Sequence, residues 1–194
     1  MNKPLILITN DDGIAAKGLE SLVECMQKFG QVIVVAPDKP QSGMGHAITI
    51  NHPLRMKRSK LYPEIEAYST TGTPVDCVKL GIYEIAHRKP DLLVSGINHG
   101  ANFSSNVLYS GTMSAAVEGA MENIPSIGFS LCDFDEDADF TGAMKIVDEV
   151  TALVLRNEFP KHVCLNVNIP KLPASEIKGI KICKQAAAFW DDRF

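Results

Sequence analysis

Residues 4–19 read PLILITNDDGIAAKGL, and this stretch decides the fold. Its apolar run, residues 5–9, is typical of a strand that is buried on both faces of a sheet. Two adjacent carboxylates, Asp11 and Asp12, follow that run directly before Gly13. Because like charges repel and their burial is costly, we expect a positive partner, either a metal ion, a lysine or a shared proton.

Strand-like and helix-like segments alternate along the rest of the chain, which predicts a Rossmann-like α/β fold with a mostly parallel sheet flanked by helices. The predicted strands cover residues 5–9, 31–37, 91–96, 126–131, 164–170 and 179–184. The predicted helices cover residues 17–29, 113–121 and 139–157, and a further helix begins after Thr73, its predicted N-cap.

Residues 47–70 break this alternation, because two β-like segments follow each other without a helix between them. They predict an antiparallel hairpin or strand pair inserted beside the parallel sheet. The sequence contains neither a repeat nor a linker-like segment, so we predict a single domain over residues 1–194.

The composition excludes several classes of protein. A net charge of −4 gives no basic surface for stable nucleic-acid binding. The five cysteines are scattered and form no C-x-x-C motif, which argues against a disulfide scaffold or a zinc ribbon. No apolar segment approaches the roughly 20 residues of a membrane span, so we predict no membrane partner and a cytoplasmic location.

Polar residues collect where three of the predicted parallel strands end. The first strand ends in the two aspartates, the second runs into residues 36–46, and the third runs into residues 95–106; these loops hold carboxylates, a serine, asparagines and glycines. Ligands of open α/β sheets bind at this edge, and an all-oxygen donor set suits Mg²⁺ or Mn²⁺ better than zinc. For Asp12, capping of the following helix is an equally plausible role.

A second candidate binding segment covers residues 109–120, YSGTMSAAVEGA. Ser110, Gly111 and Thr112 stand directly before a helix of small residues, where free N–H groups and the helix dipole favour an anion. An ordinary N-cap by Ser110 or Thr112 is the alternative. A dication beside an anion site would suit phosphoryl chemistry.

Five motifs occur in order and together resemble the SurE (survival protein E) family of metal-dependent 5′-nucleotidases. They are ILITNDDGIAAKGL, VAPDKPQSGMGHAIT, GTPVDCV, DLLVSGINHGAN and YSGTMSAAVEGA. The resemblance spans roughly residues 4 to 170 and implies hydrolysis of nucleoside monophosphates. It also implies a broad specificity that extends to 3′-nucleotides and short polyphosphate.

The resemblance further implies the residues of the site. The metal ligands would be Asp11, Asp12, Ser42 and Asn98, which would hold one Mg²⁺ or Mn²⁺ per subunit, with Asp11 and Asp12 as the catalytic pair. The phosphate would be surrounded by Gly43, Asn102, Ser110, Gly111 and Thr112. His99 receives no role, and His46 is left as an open candidate for contact with substrate.

Chains of this family usually continue for several tens of residues beyond a point like Phe194, and the extension helps to build homodimers or homotetramers. We therefore expect a chain shortened at its C-terminus, with Phe189, Trp190 and Phe194 poorly covered. The basic cluster Lys57, Arg58 and Lys60 is interpreted as a solvated rim.

The expected reaction is direct hydrolysis, in which a water molecule attacks phosphorus and Asp11 orients or deprotonates that water. A covalent aspartyl-phosphate is an open alternative.

The main rival is a Mg²⁺-dependent, receiver-like phosphoacceptor signalling domain. That class needs a third aspartate after the third strand, where this sequence has residues 95–98, SGIN. A haloacid-dehalogenase-type phosphatase needs Asp-x-Asp, and Asn10 stands at the first position. A dinucleotide-binding oxidoreductase needs a G-x-G-x-x-G motif, and the pair Gly43-x-Gly45 lacks the third glycine of that motif.

Overall fold

The computed structural model describes residues 3–135, 137–188 and 191. The strands are β1 Leu5–Thr9, β2 Gln31–Pro37, β3 Met56–Arg58, β4 Glu66–Thr70, β5 Leu92–His99, β6 Ser126–Cys132 and β7 Cys164–Pro170. The α-helices are α1 Lys17–Gln27, α2 Pro74–Leu80, α3 Gly111–Met121 and α4 Thr141–Arg156. A π-helical turn, Gly81–Ile85, extends α2, and a 3₁₀ turn, Ser104–Leu108, precedes α3.

The strands form one seven-stranded sheet in the order β3-β4-β2-β1-β5-β6-β7. Every neighbouring pair is parallel except β3 with β4. The prediction of a mostly parallel, Rossmann-like α/β sheet is therefore confirmed. The division of the chain into a single domain stays a prediction.

The first strand lies at the centre of the sheet, where β2 and β5 pair with its two edges. All five of its residues are buried. Ile6 and Ile8 pack into the apolar layer formed with α1 and α4, whereas Leu5 and Leu7 pack into the layer formed with α2 and α3. The buried strand predicted from residues 5–9 is confirmed, and its two covered faces explain why it has no polar alternation.

Helix α1 packs closely on the sheet because its apolar residues are regularly spaced and a glycine lies at the point of closest approach. The face of α1 predicted from Leu19, Leu22, Val23 and Met26 is buried. A Cβ at Gly18 would lie 2.0 Å from the carbonyl oxygen of Ile97, so only glycine lets α1 approach β5 this closely.

The predicted start of α2 is also confirmed. The Thr73 hydroxyl accepts a hydrogen bond from the Asp76 N–H, and the Asp76 carboxylate accepts one from the Thr73 N–H, which together form a capping box. Pro74 occupies the first turn, where its missing N–H is not needed.

The insertion between β2 and α2 differs in detail from the prediction. The strands β3 and β4 do pair antiparallel, but β4 also pairs parallel with β2, so the insertion extends the main sheet. Residues 47–55 form no strand, and Ala47 and Thr49 instead contact Thr73 and Asp76 at the start of α2. Lys57 and Arg58 are exposed on β3, in agreement with a solvated rim.

Two strand predictions need correction. The strand predicted over residues 91–96 continues to His99, so Asn98 belongs to β5 itself. The strand predicted over residues 179–184 is wrong: this segment forms no strand, and Ile182 is 97% exposed. Its alternating pattern gives a local preference, but a strand forms only where a partner edge satisfies its backbone groups.

The expected exposure of Phe189, Trp190 and Phe194 falls outside the described residues. Within the described part of the chain, the helices are too short or too polar to cross a membrane.

Candidate active site

A tight turn at the carboxyl end of β1 sets the two aspartates in place. The buried side chain of Asn10 closes the turn, because its Oδ1 accepts a hydrogen bond from the Gly13 N–H at 3.2 Å and its Nδ2 donates to the Gly13 carbonyl at 3.0 Å. Gly13 has a φ of 100°, in the left-handed region that favours glycine. Asn10 thus fixes the backbone from which Asp11 and Asp12 project.

Asp11 contacts the start of α3 and is buried there. The Thr112 hydroxyl donates to Asp11 Oδ1 in a short hydrogen bond, and the N–H groups of Gly111 and Thr112 also face its carboxylate. Burial raises the pKa of Asp11, and these hydrogen bonds oppose the rise. The approach depends on Gly111, since a Cβ there would lie 2.6 Å from the Asp11 Cβ.

Asp12 is half-buried beside Asp11 and has an unsatisfied oxygen. Its Oδ2 is shielded from solvent, and no group in the described part of the chain donates a hydrogen bond to it. Burial, together with the neighbouring charge of Asp11, raises the pKa of Asp12 to about 6, although the His99 ring and N–H partly offset this. A buried carboxylate oxygen without a donor is costly unless a cation binds it.

The loop after β2 brings Ser42 to the same strand edge. The N–H of Gln41 donates to the carbonyl oxygen of Asp11 at 2.7 Å, so the loop is attached directly to the acidic turn. Ser42 and Gly43 are both exposed, and a Cβ at Gly43 would meet nothing within 4 Å. The sequence prediction that the ends of β1 and β2 meet is confirmed, whereas coordination by Ser42 stays a prediction.

Asn98 lies near the end of β5, the other neighbour of β1. Its Nδ2 donates to the carbonyl oxygens of His99 at 2.9 Å and Gly100 at 2.8 Å. These bonds use both N–H groups of the amide, which leaves its oxygen as the atom that can bind a cation. The ladder to β6 is irregular between Ser95 and Asn98, and this irregularity redirects the end of the strand.

The residues predicted to surround phosphate differ in their hydrogen-bond partners. The Ser110 hydroxyl accepts a hydrogen bond from the Met113 N–H and caps α3, and Thr112 faces Asp11. Asn102 is buried, with its Nδ2 donating to Ser130 Oγ at 2.9 Å and its N–H donating to Asn168 Oδ1 at 2.8 Å. Asn102 therefore braces the ends of β6 and β7.

These residues meet the requirements of a hard cation only if donors other than carboxylates contribute. Among the described residues, no group of three or more His, Cys, Asp or Glu side chains could hold a metal. The acidic pair must be completed by hydroxyl and amide oxygens, as Ser42 and Asn98 would provide. Such a cation would bind the buried Oδ2 of Asp12, to which no described group donates a hydrogen bond.

Two features of the site were not predicted from the sequence. The turn-closing role of Asn10 could have been found, because Asn followed three residues later by Gly is a common turn pattern. The other is a cluster in which His46, from the loop after β2, and Lys79, from α2, both contact Glu118 on α3. No local pattern indicates it, since its members come from three separate elements.

A mostly parallel α/β sheet with an acidic turn at the end of its central strand, beside a helix N-terminus, defines a Rossmann-like protein with a candidate ligand site at the carboxyl edge of the sheet. The family model described as survival protein SurE matches residues 6–192. The chain belongs to the SurE family, which confirms the resemblance drawn from the five motifs.

Known relatives agree over nearly the whole chain. The chain is 59% identical to the 5′-nucleotidase SurE of Christiangramia forsetii, over 99% of this chain and 75% of that protein. It is 60% identical to the 5′-nucleotidase SurE of Flavobacterium johnsoniae, over 99% of this chain and 74% of that protein. The crystal structure of the SurE protein from Aquifex aeolicus superposes with a TM-score of 0.89 at 41% identity, over 98% of this chain and 75% of that one.

Proposed function

We propose that this protein is a divalent-metal-dependent phosphatase that hydrolyses nucleoside 5′-monophosphates to nucleoside and phosphate. The observation that carries the metal dependence is the shielded, unpartnered Oδ2 of Asp12 beside the buried Asp11. The nucleotide substrate is supported by the 5′-nucleotidase activity for which the relatives are named.

The proposed cation is one Mg²⁺ or Mn²⁺ per subunit, held by Asp11, Asp12, Ser42 and Asn98. Three neighbouring strand ends supply these donors, and all of them are oxygens. When bound, such a cation polarises a phosphoryl oxygen and lowers the pKa of a coordinated water.

The remaining chemistry is assigned to the protein's own groups. Asp11 is proposed to orient the attacking water and to accept its proton, because the Thr112 hydroxyl and the start of α3 fix its carboxylate in one orientation. The phosphorus–oxygen bond to the ribose breaks as the new bond to water forms, and the departing ribose oxygen takes up a proton from solvent to give the nucleoside hydroxyl. A covalent phosphate on Asp11 is the competing route.

Gly43, Ser110, Gly111 and Thr112 are proposed to face the phosphoryl oxygens. The start of α3 already stabilises one anionic group, the Asp11 carboxylate, as expected for the positive end of a helix dipole. Asn102 contributes by bracing the segment that leads to α3, since its own side-chain amide donates to Ser130.

Activity on 3′-nucleotides and short polyphosphate, a cytoplasmic location, and a homodimer or homotetramer stay predictions. An exposed rim around Ser42 and Gly43 is compatible with substrates of different shape.

The proposed function is tested by measuring phosphate release from a panel of 5′-nucleotides, 3′-nucleotides and tripolyphosphate. Each assay is run after EDTA treatment and after addition of Mg²⁺ or Mn²⁺. Asp11→Asn and Asp12→Asn are compared with Asp137→Asn, which removes an exposed carboxylate far along the chain. We expect metal-dependent release from 5′-nucleotides, loss of activity in the first two variants and normal activity in the third.

Metal-independent turnover, or wild-type turnover in Asp11→Asn or Asp12→Asn, would contradict the proposal. The stereochemical course at phosphorus separates the two routes, because a single displacement by water inverts the configuration, whereas a covalent phosphate on Asp11 gives net retention. A stable adduct with acetyl phosphate, without release of phosphate from any nucleotide, would favour the receiver-like alternative.

A further inference from the structure

The loop that carries Ser42 contains residues with high backbone freedom. We define the Ser42 loop as residues 41–49. It contains two glycines in the left-handed region, Gly43 with a φ of 77° and Gly45 with a φ of 59°. Glycine loses more backbone freedom on ordering than any other residue, so a single conformation here requires anchors outside the loop.

His46 is the first side chain after Ser42 that anchors the loop to the helices. Its Nε2 lies 2.8 Å from Oε2 of Glu118 on α3. A carboxylate only accepts hydrogen bonds, so the Nε2 of His46 carries the hydrogen and donates it. The contact links a loop residue to the side of α3 that faces α2.

Glu118 is a buried charged residue that binds His46 and Lys79. It is 3% exposed, and its Oε1 lies 2.6 Å from the Nζ of Lys79 on α2. Burial alone would raise the pKa of Glu118, but the hydrogen bonds from Lys79 and His46 outweigh burial and hold it below its ordinary value. The carboxylate therefore stays ionised, and each of its oxygens has one partner.

Backbone and hydroxyl contacts restrain the Ser42 loop at its middle and at its C-terminal end. The Gly45 N–H donates to the carbonyl oxygen of Tyr109 at 3.1 Å. The Thr73 hydroxyl donates to the carbonyl oxygen of Ala47 at 2.7 Å, and the Thr49 hydroxyl donates to Asp76 at 2.6 Å. These contacts and the attachment of Gln41 to β1 hold the loop through its backbone and Thr49, and His46 adds a side-chain contact from the loop to the buried charge of Glu118.

We propose that His46 is a positioning residue which, through Glu118, holds the Ser42 loop in the conformation that presents the Ser42 hydroxyl to the cation. This inference rests on the proposed function, because it takes Ser42 as a metal ligand. Lys79 contacts the same carboxylate but belongs to α2 and not to the loop. It therefore stabilises the charge of Glu118 without positioning Ser42.

The experiment compares Mn²⁺ affinity, measured by isothermal titration calorimetry, in wild type, His46→Ala, His46→Gln and Lys79→Met. Loss of an outer partner of a metal site typically weakens affinity by about 10- to 100-fold, and we expect about tenfold for His46→Ala. The amide of His46→Gln can still donate to Glu118 and should restore most of the affinity. Lys79→Met is the matched control, which lowers thermal stability but leaves Mn²⁺ affinity within about twofold.

Two further readouts separate positioning from general destabilisation. Hydrogen exchange of residues 41–46 should speed up in His46→Ala and stay at the wild-type rate in Lys79→Met. In a double-mutant cycle with Ser42→Ala, the His46→Ala change should add nothing to the loss caused by Ser42→Ala, since both act on one contact.

Equal Mn²⁺ affinity in wild type and His46→Ala would overturn the inference, as would an equal loss in Lys79→Met or full additivity with Ser42→Ala. If folded wild-type protein binds neither Mn²⁺ nor Mg²⁺, the proposed function itself fails and the inference falls with it. These outcomes are distinct, because the second is read from the wild type alone.

Discussion

Asp12→Asn should stabilise the metal-free protein while abolishing its response to metal. The substitution keeps the shape of the side chain and removes a negative charge that is half-buried beside Asp11, with one oxygen lacking a donor in the described structure. Burial and the neighbouring charge raise the pKa of Asp12 from 3.8 to about 6. Each pKa unit corresponds to about 1.4 kcal/mol, so the ionised Asp12 costs the fold about 3 kcal/mol at neutral pH.

This cost predicts a measurable change in melting temperature. For a chain of this size, 1 kcal/mol moves Tm by about 2–4 °C, so Asp12→Asn in EDTA should melt about 6–12 °C above the wild type. A ligand at about 100 times its Kd stabilises the folded state by about 2.7 kcal/mol, so saturating Mn²⁺ should raise the wild-type Tm by a similar amount. The variant should gain little from Mn²⁺.

The assay is thermal unfolding followed by circular dichroism, in EDTA and in Mn²⁺, for wild type, Asp12→Asn and Asp137→Asn. The last variant removes an exposed carboxylate whose contact with Lys17 lies in solvent, and its Tm should stay near the wild-type value in both buffers. An Asp12→Asn protein that melts below wild type in EDTA, or that gains as much from Mn²⁺ as wild type, would refute the reasoning.

Three further substitutions test the geometry around the acidic turn. Gly111→Ala places a Cβ 2.6 Å from that of Asp11, so nucleotidase activity should fall by more than about tenfold while circular dichroism stays native. Asn10→Ala removes both hydrogen bonds that close the turn and should lower the free energy of unfolding in urea by about 2 kcal/mol, with a loss of activity. Gly18→Ala drives a Cβ to 2.0 Å from the Ile97 carbonyl and should destabilise the protein by about 2 kcal/mol or more; a wild-type urea midpoint would show that α1 can move away.

Much of the fold was predictable because local patterns carry it. The run Leu5–Thr9 has no polar alternation, and a strand covered on both faces needs none. The spacing of Leu19, Leu22, Val23 and Met26 matches one helix face, and that face is buried. The capping box at Thr73 was readable for the same reason, since its partners lie within one helical turn.

The failures lie where pairing depends on distant partners. The alternation in residues 179–184 resembles a strand, yet no described strand edge pairs with it. Similarly, β4 looks like half of a hairpin, and only its register with β2 shows that it extends the parallel sheet. Strand propensity describes a residue's fit to a pleated surface and does not say which edge is available.

The sequence by itself determined that Asp11 and Asp12 follow a buried strand, that polar loops gather at the same sheet edge, and that the chain resembles the SurE family. Tertiary structure alone decided how those groups meet. The Thr112 hydroxyl reaches Asp11 across 101 positions of sequence, and His46 reaches Glu118 across 72. The physical reason is that hydrogen bonds and desolvation act over a few ångströms in space, and sequence spacing records such contacts only within a single helix, strand or turn.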